Sequence, residues 1–269
     1  MKIIVDAHGG DNAPLEILKG SVLAKDEFDV DIILCGREQE IKRCAKENNI
    51  NIDGMEIICA SDVMPMTGNP RDIIKSGINS SIAVGLKELA DGTGDAFVSA
   101  GSTGAIVIGS TFYVKRIPGV SRAALAAIMP SDTGPFMLID CGANVECTPD
   151  MLSMFAVMGS IFMNKVLGIE SPRVGIANIG TEEIKGPPFL VETYKLIKEE
   201  AKVNFIGNVE ARDIPYGAAD VVVCDGFTGN MFLKTFEGVS GAIMHNIKEI
   251  AGKNLFTKIS ALGISGGLK

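Results

Sequence analysis

Nine short runs rich in isoleucine and valine recur along the chain, and they constrain its fold more than any other feature of the sequence. Several of the runs are apolar throughout, which is typical of strands covered on both faces and therefore of a largely parallel sheet between helices. The predicted strands lie at residues 2–6, 31–35, 56–59, 96–100, 124–129, 136–140, 174–178, 204–206 and 221–224.

Helical patterns separate these strands. The clearest predicted helix has Thr148 as its N-cap, Pro149 in its first position and Gly168 at its end, and its body is apolar on nearly every side. Such a helix is buried, either in the core or against a second subunit. The predicted helices lie at residues 15–25, 38–48, 71–89, 104–115, 149–167, 190–202 and 230–251. The alternation predicts an α/β, doubly wound fold, which we expect to form a single domain over residues 1–269 with its sites at the carboxyl ends of the strands.

Composition narrows the classes of function. Hydrophobic residues make up 46% of the 269 residues, which is enough to bury a large core. The formal net charge of −8 disfavours binding to nucleic acid, which depends on lysine and arginine. We see no secretory signal and no stretch of the roughly 20 apolar residues that a membrane span needs. The six cysteines form no CxxC pair, so we expect a cytoplasmic protein with free thiols, no metal and no cofactor.

Glycine and small polar residues cluster where five of the predicted strands end. Glycine lets a backbone approach a ligand closely, and free N–H groups at a helix start attract anions. Gly101, Ser102, Thr103 and Gly104 have the layout of a phosphate-binding turn, although glycine-rich turns also serve as ordinary connections. The GxxxxGK[ST] and GxGxxG nucleotide fingerprints are missing, which disfavours nucleotide chemistry.

Five motifs in order along the chain resemble one family. The motifs are VDAHGGDNAP, GDAFVSAGSTGA, LIDCGANVECTPDMLSMFAVMGS, NIGTEEIKG and DVVVCDGFTGN. Together they resemble the phosphate acyltransferase family of bacterial phospholipid synthesis. The resemblance implies a fold similar to that of phosphate acetyltransferases and the isocitrate dehydrogenase group. It also implies a dimer, peripheral at the inner face of the membrane, that converts acyl-(acyl carrier protein) and inorganic phosphate into acyl phosphate.

The chain departs from the family pattern at three places. Residues 74–81 keep one basic residue where the family usually has a basic run before its Ser-Ser pair. Pro187 and Pro188 stand where the family usually has Asn-Glu. Family members normally continue past the position of Lys269 with a further strand and helix, so we expect a truncated chain or a divergent member.

The reaction needs positioned donors and positive charge more than a reactive side chain, because phosphate is itself a nucleophile. We assign catalysis to Lys185, which offsets phosphate charge, and to Asn144 and Asn230, which are amide donors for phosphate or for the oxyanion. The predicted phosphate and substrate contacts are Gly101, Ser102, Thr103, Gly104, Asp11, His8, Asp225 and Glu182.

Several of these residues have alternative interpretations. Asp11 and Asp225 orient donors or serve as turn or helix caps. One interpretation of His8 is that it protonates the departing sulfur. The other, a role in binding or in turn structure, is favoured because a thiol leaving group barely needs an acid. Cys141 and Cys147 flank a predicted turn, but a covalent acyl-cysteine gains little when phosphate attacks directly.

Two other functions stay open. One is a phosphate acetyltransferase-like enzyme that uses acyl-CoA, and the other is a non-catalytic protein that binds acyl groups or phosphate. In either case an apolar stripe along residues 230–250 predicts a homodimer interface. Residues 254–264 are predicted to make weak contact with the membrane surface, because apolar side chains there lie next to Lys253 and Lys258.

Overall fold

The computed structural model describes residues 1–252, which belong to two compact units. The first unit is Met1–Ala123, and the second begins at Ala124. Each unit has its own sheet, whereas the sequence pattern predicted one sheet in a single domain. All nine predicted strands form.

The first unit is a four-stranded sheet in the order β3-β2-β1-β4, and all its strands are parallel. The strands are β1 (Lys2–Asp6), β2 (Asp31–Gly36), β3 (Glu56–Cys59) and β4 (Ala96–Val98). The helices are α1 (Leu15–Phe28), α2 (Glu38–Glu47), α3 (Ser81–Ala90) and α4 (Thr103–Gly109). Because the strands are parallel, the turns after β1 and β4 lie at the same edge of the sheet.

The second unit is a five-stranded sheet in the order β5-β6-β9-β7-β8. Its strands are β5 (Ala126–Ser131), β6 (Gly134–Ile139), β7 (Arg173–Asn178), β8 (Asn204–Glu210) and β9 (Val221–Val223). Only β5 is antiparallel, because a short turn joins it to β6. The helices are α5 (Pro149–Leu167), α6 (Pro188–Glu200) and α7 (Gly226–Gly252).

Two predicted helices differ in the structure. The helix predicted at residues 71–89 is a 3₁₀ turn at Pro70–Ile74 followed by α3, because the region has two capping residues. Asn69 accepts the Arg71 N–H at 3.0 Å and Ser80 accepts the Ala83 N–H at 3.3 Å, so each starts its own helix. The helix predicted at residues 104–115 starts as α4 and continues as a π-helix at Ser110–Val114.

Among the described helices, α5 is long and apolar enough by length and composition to cross a membrane. The core helix of a soluble protein passes the same test, and one face of α5 lies in the core of the second unit. The buried residues of α5 are Leu152, Phe155, Ala156, Gly159 and Met163. Its other face is exposed at Ile161, Phe162 and Val166. Within this chain one face of α5 is therefore buried, whereas burial on nearly every side was expected.

Candidate functional site

A buried carboxylate joins two of the glycine-rich turns of the first unit. Asp6 is 1% exposed and accepts hydrogen bonds from Ser99 Oγ at 2.6 Å and from the His8 N–H at 3.2 Å. Ser99 Oγ in turn accepts the Gly101 N–H at 3.0 Å. A Cβ at Gly9 would lie within 3 Å of Asp6 Oδ2, Ser99 Oγ and Gly101 N, so only glycine fits there. The turns after β1 and β4 are therefore one structure.

The predicted phosphate turn lies between β4 and α4, as expected for a strand-to-helix connection. Ser102 is the buried N-cap of α4 and accepts the Ala105 N–H at 3.5 Å, while Thr103 is exposed. The Gly101 N–H donates to Ser99 Oγ, and the binding of phosphate by this turn stays a prediction. Gly104 packs next to Pro70.

His8 is bound into the first unit. Its Nε2 lies 3.2 Å from Glu40 Oε2, and Glu40 Oε1 accepts a hydrogen bond from Arg37 at 3.1 Å. The hydrogen bonds from Arg37 and His8 lower the pKa of Glu40. His8 Nδ1 is buried and has no hydrogen-bond partner within residues 1–252. These contacts favour the structural interpretation of His8, and Asp11 of the same turn is exposed.

In the second unit, Asp140 organises the loop that follows β6. Asp140 is fully buried, and its Oδ1 accepts the N–H groups of Leu125, Gly142 and Ala143 at 3.0, 3.1 and 3.0 Å. Its Oδ2 accepts the Asn144 N–H at 2.7 Å and Asn144 Nδ2 at 2.8 Å. Asn144 was predicted as an amide donor to phosphate or to the oxyanion, which stays a prediction, and in the structure its side-chain amide binds the carboxylate that organises this loop.

The start of α7 packs on that loop. Asp225 caps α7 by accepting the Thr228 N–H at 2.9 Å and Thr228 Oγ1 at 2.8 Å, which is the capping alternative for this residue. A Cβ at Gly229 would collide with the Asp140 carbonyl oxygen, so glycine permits the close approach. Asn230 is exposed, and its side chain lies beside Gly142. Asn144, Asp225 and Asn230 therefore share one region, as expected for a site.

Lys185 lies on a loop that two asparagines hold in place. Asn178 Nδ2 donates to the Lys185 carbonyl oxygen at 3.0 Å, and Asn208 Nδ2 donates to the Glu182 carbonyl oxygen at 2.8 Å. Lys185 Nζ lies 3.6 Å from Glu182 Oε1, and the lysine side chain is 45% exposed. The loop therefore presents an ammonium group to solvent. Glu182, which was predicted to bind phosphate, is the ion-pair partner of that group.

An apolar cavity of about 870 Å³ opens in the second unit. Buried Leu138, Ile214 and Cys224 line it together with the aromatic rings of Phe189 and Phe232. Other lining residues come from the ends of β7 and β9 and from the first turn of α7: Asn178, Ile179, Asp225, Phe227 and Thr228. Sequence reasoning missed this cavity, because its walls come from segments far apart in the chain.

The thiols near this cavity are poor nucleophiles. Burial raises the pKa of Cys141 and of Cys147 to about 11. Burial also raises the pKa of Cys224 well above 9.0. A thiol needs to be a thiolate to attack an acyl group, so these cysteines stay protonated and inert at neutral pH. This agrees with the expected direct attack by phosphate.

The predicted site residues divide between the units. Gly101, Ser102, Thr103, Gly104, His8 and Asp11 belong to the first unit, whereas Lys185, Glu182, Asn144, Asp225 and Asn230 belong to the second. Sequence reasoning did not select Asp6, Ser99 or Asp140, although both aspartates directly follow or end a strand ahead of a glycine-rich turn. The clustering of glycine and small polar residues at strand ends also predicts that the Gly101 turn faces a cleft shared with Lys185 and Asn230, and this stays a prediction.

Solved structures define the class of fold. The chain is similar to the EutD phosphotransacetylase from Staphylococcus aureus, with a TM-score of 0.66 and 22% identity, covering 90% of this chain and 82% of that one. It is also similar to a phosphotransacetylase from Streptococcus pyogenes, with a TM-score of 0.69 and 17% identity, covering 89% and 82%. The chain therefore has the predicted α/β fold, of the kind found in phosphotransacetylases.

Sequence comparisons define the family. The model of the family described as "Fatty acid synthesis protein" matches residues 1–269. A phosphate acyltransferase from Caldanaerobacter subterraneus subsp. tengcongensis is 46% identical over 100% of this chain and 80% of that protein. One from Thermoanaerobacterium thermosaccharolyticum is 44% identical over 100% and 79%. The chain belongs to this fatty acid synthesis protein family and is an acyltransferase, which confirms the resemblance seen in the motifs.

Proposed function

We propose that this enzyme transfers a long-chain fatty acyl group from acyl-(acyl carrier protein) to inorganic phosphate, giving acyl phosphate for phospholipid synthesis. The names of the relatives support phosphate as the acceptor. The observation that carries the proposal is the position of the Lys185 loop. Asn178 both lines the apolar cavity and binds the Lys185 carbonyl oxygen. A cation-bearing loop next to an apolar cavity suits a product with an anionic head and an apolar tail.

In the proposed reaction a phosphate oxygen attacks the thioester carbonyl carbon, the C–S bond breaks, and the thiolate leaves with the electron pair. The thiolate then takes a proton from solvent, since a thiol has a pKa of about 8.5. Lys185 offsets the charge of the phosphate and Asn230 donates to the oxyanion. Oriented donors of this kind account for much of catalysis when the nucleophile needs no activation. The protonated thiols of Cys141 and Cys147 take no part.

The test of this function is turnover of long-chain acyl-(acyl carrier protein) with phosphate, with acyl phosphate detected by mass spectrometry. Lys185→Ala should lower kcat/KM on the order of 10²-fold, because a charge-assisted phosphate contact is lost. Lys234→Ala is the matched control. Lys234 is an exposed lysine of the same unit, paired with Glu237 at 2.8 Å as Lys185 is paired with Glu182. Lys234→Ala should keep full activity.

Four results would contradict the proposal. Equal activity of Lys185→Ala and Lys234→Ala would remove Lys185 from the mechanism. An acyl-cysteine trapped on Cys147 would replace direct attack with a covalent route. A preference for acetyl-CoA over the long-chain carrier thioester would favour the phosphate acetyltransferase-like alternative, and no turnover of either would favour the non-catalytic one.

We also propose that the enzyme is a homodimer held partly by α7. Phe232 and Phe236 pack against the second unit, so the first turns of α7 are partnered within the chain. Farther along, Val239, Ile243 and Ile250 are exposed by 52%, 52% and 56%, and a second copy of the chain would cover them. The predicted membrane contact at residues 254–264 lies outside the described residues, and the peripheral, cytoplasmic location stays a proposal.

A further inference from the structure

We propose that the cavity of the second unit is the binding site of the acyl chain, and that it admits the uncharged tail while the phosphate stays outside. This inference rests on the proposed function and adds a site to it. It follows from the chemistry of the lining, from the volume of the cavity and from its place beside the Lys185 loop.

The lining is suited to a hydrocarbon chain. Leu138, Ile214 and Cys224 are buried and offer no charged group, and the rings of Phe189 and Phe232 complete the apolar surface. Sites for small molecules typically have volumes of about 300–1,000 Å³ and are mostly apolar with a few polar groups. At about 870 Å³ the cavity is near the upper end of that range. An acetyl group would leave most of this volume unfilled.

The charges of the lining exclude an anion. Two carboxylates, Glu146 and Asp225, line the cavity, and no lysine or arginine occurs among the described residues that line it. A phosphate or a nucleotide pyrophosphate inside the cavity would meet like charges without a compensating cation. The anionic part of the substrate is therefore kept outside, on the side of the loop that carries Lys185. Asn178 connects the two regions, since it lines the cavity and holds that loop.

Ala177 is a position at which a larger side chain would reduce the volume of the cavity. It is the neighbour of Asn178 on β7, and its small, half-buried side chain lines the cavity. A leucine at this position would place three further carbon atoms in the cavity. Each methylene that a cavity buries changes affinity by about fourfold. An acyl chain long enough to fill the wild-type cavity should therefore bind to the Ala177→Leu variant with an affinity lower by a factor on the order of 10 or more.

The experiment uses acyl-pantetheine amides, which are neutral and unreactive analogues of the thioester, with chains of 4 to 16 carbons. Their affinity for the whole chain is measured by calorimetric titration. Wild type should bind more tightly by about fourfold per methylene until the cavity is full. Ala177→Leu should lose affinity for the longest chains only. Ala127→Leu is the matched control, because Ala127 packs against the same hydrophobic cluster without lining the cavity, and it should behave as wild type.

A second variant gives a change of opposite sign, which misfolding cannot imitate. Phe232→Ala enlarges the cavity and should move the preferred length to longer chains. Affinity independent of chain length in wild type would overturn the inference, and so would equal behaviour of Ala177→Leu and Ala127→Leu. Chain-length-dependent binding without turnover of any acyl thioester would instead contradict the proposed function and leave the acyl site standing.

Discussion

Replacement of Asp140 by asparagine tests whether one buried carboxylate holds the loop after β6. The carboxylate accepts five hydrogen bonds, three at Oδ1 and two at Oδ2. Asparagine can keep an oxygen on the side of Leu125, Gly142 and Ala143. Its amino group then faces the Asn144 N–H and Asn144 Nδ2, which are both donors, so two hydrogen bonds are lost.

The cost follows from these two bonds. A hydrogen bond to a charged group contributes about 1.5–3 kcal/mol, so Asp140→Asn should lower the free energy of unfolding by roughly 3–6 kcal/mol. Whole domains are stable by only about 5–15 kcal/mol. For a chain of this size each kcal/mol lowers Tm by about 2–4 °C, which predicts a fall on the order of 10 °C. Asn144→Ala removes the side-chain bond to Asp140 Oδ2 and should also lower the free energy of unfolding.

Calorimetric melting measures the stability, and hydrogen exchange followed by mass spectrometry reports on the loop itself. The Asn144 amide should be protected in wild type and exchange quickly in Asp140→Asn, whereas the amides of Gly142 and Ala143, which keep their oxygen acceptor, should change less. Asp150→Asn is the control, because Asp150 is an exposed acid in the first turn of α5 and should change stability by less than about 1 kcal/mol. If Asp140→Asn and Asp150→Asn have the same Tm, the Asp140 carboxylate does not organise the loop.

Three further predictions concern pH, thiol reactivity and assembly. Burial raises the pKa of Asp220, but hydrogen bonds from Arg173 outweigh this and lower it below 3.8, so the pair stabilises the fold above pH 3.8 and the contribution is lost as the pH falls further. Asp220→Asn should therefore have a lower Tm than wild type at pH 6. The difference in Tm between the two proteins should become smaller in melts below pH 3. Burial raises the pKa of Cys147 to about 11, so iodoacetamide at pH 8 should label exposed Cys59 first, and faster labelling of Cys147 would contradict the assignment. Ile243→Glu should convert a dimer into monomers in analytical ultracentrifugation, and an unchanged sedimentation coefficient would exclude that face of α7.

Strands β2, β6 and β9 were predictable because each is a short, largely buried run of mostly apolar residues. Burial on both faces removes the need for polar positions, so the runs are visible without knowledge of their neighbours. Helix starts were predictable where a single capping residue stands alone, as Thr148 does before α5. The helix prediction was wrong in the region of Asn69 and Ser80, because the region holds two capping residues within one helical pattern. The pattern alone does not show that both residues start a helix. The division into two sheets was also missed, since strand runs do not encode which strands pair.

The sequence predicted which turns form the candidate site. It did not predict which residues of those turns contact each other. Ser99 binds Asp6 across 93 residues, and Asn208 binds the Glu182 carbonyl oxygen across 26. Neither pair has a signature in the local sequence. The same limit applies to Asn144, whose amide type fits a ligand donor and a loop clamp equally well. In the structure Asn144 Nδ2 donates to Asp140 Oδ2, and a role of Asn144 toward the ligand stays a prediction.

The two buried aspartates change how the glycine-rich turns should be interpreted. Asp6 ends β1 and Asp140 follows β6, and each accepts hydrogen bonds from the turn beside it. An N–H group that faces a buried carboxylate is not available to an anionic substrate, so these turns do not bind phosphate through those groups. The aspartates instead fix the turns before substrate arrives, which spares the enzyme the entropy of ordering them during the reaction. The positive charge that the reaction needs then comes from side chains on other loops. In the proposed mechanism Lys185, on the clamped loop at residues 178–187, meets that need, so Lys185→Ala should lower turnover more than Lys234→Ala does.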